Sequence, residues 1–86
     1  MDITEEQQKI MNLFLNDESV QLSTIEKEFS DLPTQKVRYF LDGLEKKIFL
    51  IYFEKQVVGT NADKSFQLQK AGRTFLFDRE KNDDSK

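Results

Sequence analysis

Residues 33–53 read PTQKVRYFLDGLEKKIFLIYF, and the spacing of the apolar residues changes in the middle of this segment. In the first part the apolar residues recur at the i, i+3, i+4, i+7 spacing of one helix face: Val37, Phe40, Leu41 and Leu44. Pro33 suits the first turn of a helix, where its missing N–H costs nothing. Residues 48–53 are apolar, β-branched and aromatic, which favours a strand. The segment therefore predicts a helix over 33–46 followed by a β-strand.

The sequence after this segment predicts a hairpin and a last helix. Residues 59–64 have turn chemistry, and residues 65–69 alternate apolar and polar side chains. Together with the preceding strand they predict a β-hairpin over residues 48–69. A last helix is predicted over about 71–80, and the polar tail 81–86 is expected to fray.

The sequence before this segment predicts two further helices. The first is expected over residues 4–16, with Thr4 as its N-cap. Val20 and Leu22 are expected to form a short extended entry to the next helix. Ser23 and Glu26 have the spacing of a capping box, so they predict the start of a short second helix that ends near Leu32.

Length and composition indicate one globular domain, over residues 1–80. The 86 residues contain neither Cys nor His, which excludes disulfides, thiolate chemistry, the usual zinc sites and His-based acid–base catalysis. We find no catalytic constellation and predict no enzyme activity, no metal and no cofactor. The longest apolar run has six residues and no signal-peptide pattern is present, so we expect a cytoplasmic protein. Its composition suits a bacterial or mobile-element protein.

The charges are unevenly distributed along the chain. The formal net charge is −3, but residues 1–32 carry −6 and residues 33–73 carry +4. Such a separation indicates that one surface meets an anion while another avoids it, although chance alone also produces blocks of this size.

The order of the predicted elements resembles an α+β winged helix-turn-helix domain: three helices, a β-hairpin wing and a C-terminal helix. Residues 32–48 resemble the recognition helix and exit of small winged-helix transcription regulators. Residues 66–76, FQLQKAGRTFL, are similar to the end of the wing in MarR-like and PadR-like regulators. Lys47 stands where these families usually have Gly, and Gln69 stands where they usually have Thr.

This resemblance implies double-stranded DNA as the partner, with helix 33–46 in the major groove and hairpin 48–69 as the wing. The residues expected to face the groove are Thr34, Gln35, Lys36, Arg38 and Tyr39. Phosphate contacts are expected from Lys36, Lys55, Lys64 and Lys70, with Arg73 as a further candidate. Asp42 and Glu45 lie beside the same helix face and oppose a phosphate backbone, and the acidic pI also opposes non-specific DNA binding.

Some apolar residues are left outside the predicted core stripes: Met11, Leu15, Phe75 and Phe77. They either complete the core or form an interface. An interface would fit a homodimer on a palindromic site. It would equally fit the alternative function, a winged-helix protein–protein interaction module that does not bind DNA, whose acidic N-terminal face would favour a basic partner.

Overall fold

Four helices and a three-stranded antiparallel sheet form the described part of the chain, which in this computed structural model comprises residues 3–55 and 63–84, with side chains for 3–54 and 64–77. The elements follow in the order α1 (Glu5–Asn12), β1 (Ser19–Gln21), α2 (Leu22–Glu28), α3 (Thr34–Lys46), β2 (Leu50–Lys55), β3 (Asp63–Leu68) and α4 (Lys70–Asp84). The predicted α+β order is confirmed.

Helix α3 is the element that the sequence predicted best. It begins after Pro33 and ends at Lys46, and its side toward the core carries Val37, Leu41 and Leu44, all at most 1% exposed. Phe40 is only half-buried against the same core. This apolar stripe fixes which way the opposite, polar face of α3 points.

The end of α3 differs from the prediction by one position. Lys47 keeps right-handed helical geometry, whereas Ile48 adopts the left-handed conformation, with φ at 61°. The Ile48 N–H donates to the Glu45 carbonyl oxygen at 2.9 Å, and the Phe49 N–H donates to that of Leu44 at 3.1 Å. These two bonds form the helix C-cap that usually has Gly at its left-handed position. The residue in the position that favours Gly is therefore a β-branched one.

The predicted hairpin is confirmed with shifted bounds. Strands β2 and β3 pair antiparallel from Leu50 opposite Leu68 to Lys55 opposite Asp63. Residues 48 and 49 belong to the turn after α3 and not to the strand. Of the predicted turn over residues 59–64, residues 59–62 lie outside the described residues, and the assignment of Asp63 and Lys64 to the turn is wrong, because both pair with β2 as part of β3. Strand β1 adds a third strand in the order β1-β3-β2. It contains Val20, as predicted, but it covers Ser19–Gln21, and the extended conformation predicted for Leu22 is wrong because Leu22 begins α2.

The first two helices have different ends from those predicted. Helix α1 stops at Asn12, and residues 13–16 form turns and bends. The capping box predicted at Ser23 is wrong, because α2 begins at Leu22 with Gln21 as an N-cap that makes no side-chain capping bond. The capping box of this fold lies at α1, where the Thr4 hydroxyl accepts from the Gln7 N–H at 3.0 Å.

Some of the apolar residues that lay outside the predicted core stripes belong to the core or pack against it. Of the two possibilities left open for Met11, core or interface, the structure shows the core, because Met11 is completely buried; its assignment to an interface is wrong. Leu15 and Phe75 are half-buried against the core, and Phe75 packs on Phe49 with ring centroids 4.9 Å apart. Phe77 remains 43% exposed. Of the four predicted interface residues, Phe77 therefore has the most free surface.

Gly72 fixes the start of α4 against the rest of the domain. A Cβ atom on residue 72 would lie 2.4 Å from the Phe49 carbonyl oxygen, closer than any real side chain allows. The same oxygen accepts from the Gln69 N–H at 2.9 Å. The turn after α3 and the start of α4 are thus in backbone contact. Helix α4 continues to Asp84, four residues beyond its predicted end.

Candidate nucleic-acid interface

The outer face of α3 presents a polar and cationic surface over its first two turns. All five residues predicted to face a DNA groove are exposed: Thr34, Gln35, Lys36, Arg38 and Tyr39. Tyr39 is 73% exposed, and its ring meets that of Phe40 edge-on at 5.9 Å. Amide, guanidinium, ammonium and phenol groups on one helix face are able to bind base edges and phosphates.

The second half of α3 is acidic where it meets the sheet. Partial burial raises the pKa of Glu45, the nearby Asp42 carboxylate raises it further, and the Tyr52 backbone N–H and the Arg38 guanidinium act in the opposite direction. Glu45 thus accepts from the backbone of β2 and lies within electrostatic range of Arg38. This contact joins the candidate recognition helix to the first strand of the hairpin.

The hairpin carries opposite charges in register. The Tyr52 hydroxyl donates to the Glu54 carboxylate at 2.7 Å, and this bond is the main cause of the raised pKa of Tyr52. Glu54 is paired with Lys64 across the two strands. Lys64 is exposed, as predicted, but an acidic residue stands opposite it. The wing therefore carries less net positive charge than its lysines alone suggest.

The remaining predicted phosphate contacts lie apart from these residues or outside the described side chains. Lys70 is exposed at the start of α4, next to the turn that follows α3, so it lies near the end of α3 that is farther from Gln35. Given a rise of 1.5 Å per residue, the end of α3 at Lys46 lies about 17 Å along the helix from Gln35. Arg73 forms an ion pair with Glu18 between exposed side chains. The side chain of Lys55 is outside the described part.

Sequence reasoning missed three residues that shape this surface: Gln7, Tyr52 and Glu54. The signal for Glu54 was present, because Glu54–Lys55 precedes the predicted turn and Asp63–Lys64 forms its last two residues, so the hairpin has a pair of opposite charges on each side. Once the register is known, such pairs face each other across the strands. The signal for Gln7 was also present, because Gln7 follows Ile3 by four residues and precedes Ile10 by three, which places it on the apolar stripe of α1.

Among the described residues, no group of three or more acidic side chains is placed to hold a metal ion. None of the helices in this described part has the length and apolarity required to cross a membrane.

Comparison with known proteins gives a likeness to a solved structure. A PadR-like transcription factor from Bacteroides fragilis, solved by X-ray crystallography, matches with a TM-score of 0.68 and 20% sequence identity, over 92% of this chain and 80% of that chain. No protein-family model matches the chain, and no curated protein matches it either. The likeness confirms the predicted fold class: this protein is a winged helix-turn-helix domain, with α2 and α3 as the helix-turn-helix and β2–β3 as the wing.

Proposed function

We propose that this protein is a sequence-specific double-stranded DNA-binding protein that regulates transcription. Helix α3 enters the major groove, and the β2–β3 hairpin lies along the adjacent backbone. The observation that carries this proposal is the exposed first half of α3, where the Gln35, Lys36 and Arg38 side chains are all free of the core. Gln pairs bidentately with adenine and Arg with guanine, so these residue types suit base recognition.

The charge distribution limits how the duplex lies on the protein. Asp42 and Glu45 repel phosphates from the second half of α3, so the DNA backbone must cross the helix nearer its start. Lys36 is the cation on that half of the helix that is best placed for a phosphate. Lys64 on the wing supplies a second phosphate contact, reduced in strength by the neighbouring Glu54.

A homodimer would present two copies of α3 to a palindromic site. The exposed part of Phe77, with the partly exposed Phe75 and Leu15, supplies the apolar surface for this association. Two half-sites about one helical turn apart, roughly 34 Å, are then expected. Such a regulator would work in the bacterial cytoplasm without a bound cofactor.

Selection from a pool of random duplexes tests sequence specificity directly. The wild-type protein is expected to enrich a two-fold symmetric motif. Arg38→Ala should then weaken binding to that motif by about tenfold or more, and weaken binding to an unrelated duplex far less, because one bidentate pair contributes about 1–3 kcal/mol of discrimination.

Lys9→Ala is the matched control, since it removes one exposed positive charge from α1, away from the proposed DNA surface. An equal loss with Arg38→Ala on every duplex would contradict base recognition by α3. Failure to enrich any motif would contradict sequence-specific binding as a whole.

A further inference from the structure

A second surface lies between α1 and the turn that joins α2 to α3. It is an open groove of about 610 Å³. Its floor consists of three apolar side chains, Leu13, Phe29 and Leu32, which are buried or half-buried against the core. Because the core holds them in place, the floor is preformed, and an occupant would bury apolar surface on it without rearrangement of the fold.

The rim of the groove is acidic. Glu6, Glu28 and Asp31 line it with a single cation, Lys9. Among the described side chains, none of these three carboxylates takes part in an ion pair. Three acids that form no ion pair with the described side chains, placed around an apolar floor, complement a ligand that is both cationic and apolar. A nucleic acid has the wrong sign of charge for this groove, so the groove does not serve the proposed DNA surface.

The shape of the groove indicates the kind of occupant. Its α1 side is formed by residues 6, 9, 12 and 13, which follow the helix for two turns, a length of about 10 Å. A groove of this length beside a helix accommodates two turns of another helix, whose anchors recur at i, i+3 or i+4 and i+7. None of the groove residues belongs to α3, β2 or β3.

We propose that this groove binds a basic amphipathic helix of a partner protein. The apolar side chains of that helix rest on the floor, and its Lys and Arg side chains lie against the rim carboxylates. The proposal goes beyond DNA binding and uses different residues. It gives the acidic first third of the chain a role that complements the cationic surface of α3.

Titration with a designed peptide tests the proposal in the absence of DNA. The probe is a 14-residue labelled helix built from Leu, Lys and Ala, with Leu at helical spacing on one face and Lys on the other. A scrambled peptide of the same composition is its control. Anisotropy should show tighter binding of the amphipathic peptide, and amide chemical shifts should change mainly in α1 and in residues 29–32.

Paired variants separate the groove from general charge attraction. The double change Glu28→Gln with Asp31→Asn should weaken binding about five- to tenfold, because two rim charges are lost. The control Glu5→Gln with Asp17→Asn removes two exposed acids outside the groove and should leave binding nearly unchanged. Equal binding of the two peptides, equal effects of the two double variants, or shifts centred outside the groove would each overturn the proposal.

Discussion

Gly43 of α3 leaves the space that the side chain of Gln7 of α1 occupies: a Cβ atom on residue 43 would lie 2.5 Å from Gln7 Nε2. In that space the Gln7 amide donates to the Phe40 carbonyl oxygen at 3.0 Å and accepts from the Thr4 N–H at 2.9 Å. One buried side chain therefore caps α1 and ties it to the helix proposed to recognise DNA.

Gln7→Glu tests this link. The new carboxylate still accepts from Thr4, but it no longer donates to Phe40 and leaves a charge in a buried position. We expect the free energy of unfolding at pH 7 to fall by about 1–3 kcal/mol. The loss should shrink as the pH falls through the pKa of the new carboxyl, because the protonated form regains a donor.

Urea denaturation at pH 7 and pH 5 measures both effects. The control is Gln8→Glu, which makes the same chemical change where the side chain bonds to Asn12 at the surface. Similar losses of unfolding free energy for the two variants would mean that the Gln7–Phe40 hydrogen bond makes no specific contribution to stability.

Ile48→Gly is expected to stabilise the protein by about 1 kcal/mol. A β-branched residue in the left-handed region costs energy that Gly does not, and Ile48 is 66% exposed, so little apolar burial is lost. Lys47→Gly should instead destabilise by about 0.5–1 kcal/mol, because residue 47 has right-handed helical geometry. Thermal denaturation measures the stability of both variants. A more stable Lys47→Gly and a less stable Ile48→Gly would contradict a left-handed C-cap at residue 48.

Phe77→Glu should leave the monomer folded and prevent dimer formation, because its ring is 43% exposed and free to meet a second copy. Light scattering gives the mass, and circular dichroism reports the fold. Ala71→Glu adds the same charge to the exposed start of α4 and should leave the dimer intact. Unfolding by Phe77→Glu would show that Phe77 belongs to the core.

Glu45→Gln should raise DNA affinity about three- to fivefold at low salt, because it removes a negative charge beside the recognition surface. The pKa of Glu45 is raised in the fold, so its contribution to stability is present below the ordinary carboxyl pKa and is lost as the pH rises through the raised value. The variant should thus lose nothing measurable in stability at pH 7. Glu5→Gln, on the exposed face of α1, is the control for affinity. Equal gains from both would contradict a local effect.

The sequence predicted those elements whose pattern is local. The stripe of α3 and the presence of a strand after it follow from side-chain spacing. The bounds of the helix were predicted closely, whereas the strand was predicted from residue 48 and begins at Leu50. The positions that were missed depend on distant parts of the chain. Met11 is buried because Gly72 brings α4 close to it, and no pattern within α1 reports that contact.

In the candidate site, too, the residues whose position depends on a local pattern were predicted, and those whose position depends on distant contacts were not. Exposure of Gln35 and Arg38 followed from the helix period, and the structure places both on the outer face. The position of Lys70 near the far end of α3, and the pairing of Lys64 with Glu54, depend on docking and strand register, which are not encoded in any short segment.

Titration of a labelled mixed-sequence duplex at several salt concentrations, followed by anisotropy, tests the central claim most directly. We predict micromolar binding at low salt. In a dimer, Lys36 and Lys64 of both protomers make about four phosphate contacts, so log affinity should fall against log salt at a slope of about −4. Lys64→Ala removes two of these contacts and should flatten the slope by about two. Absence of binding at low salt, or an affinity that does not respond to salt, would contradict DNA binding by this winged helix-turn-helix domain.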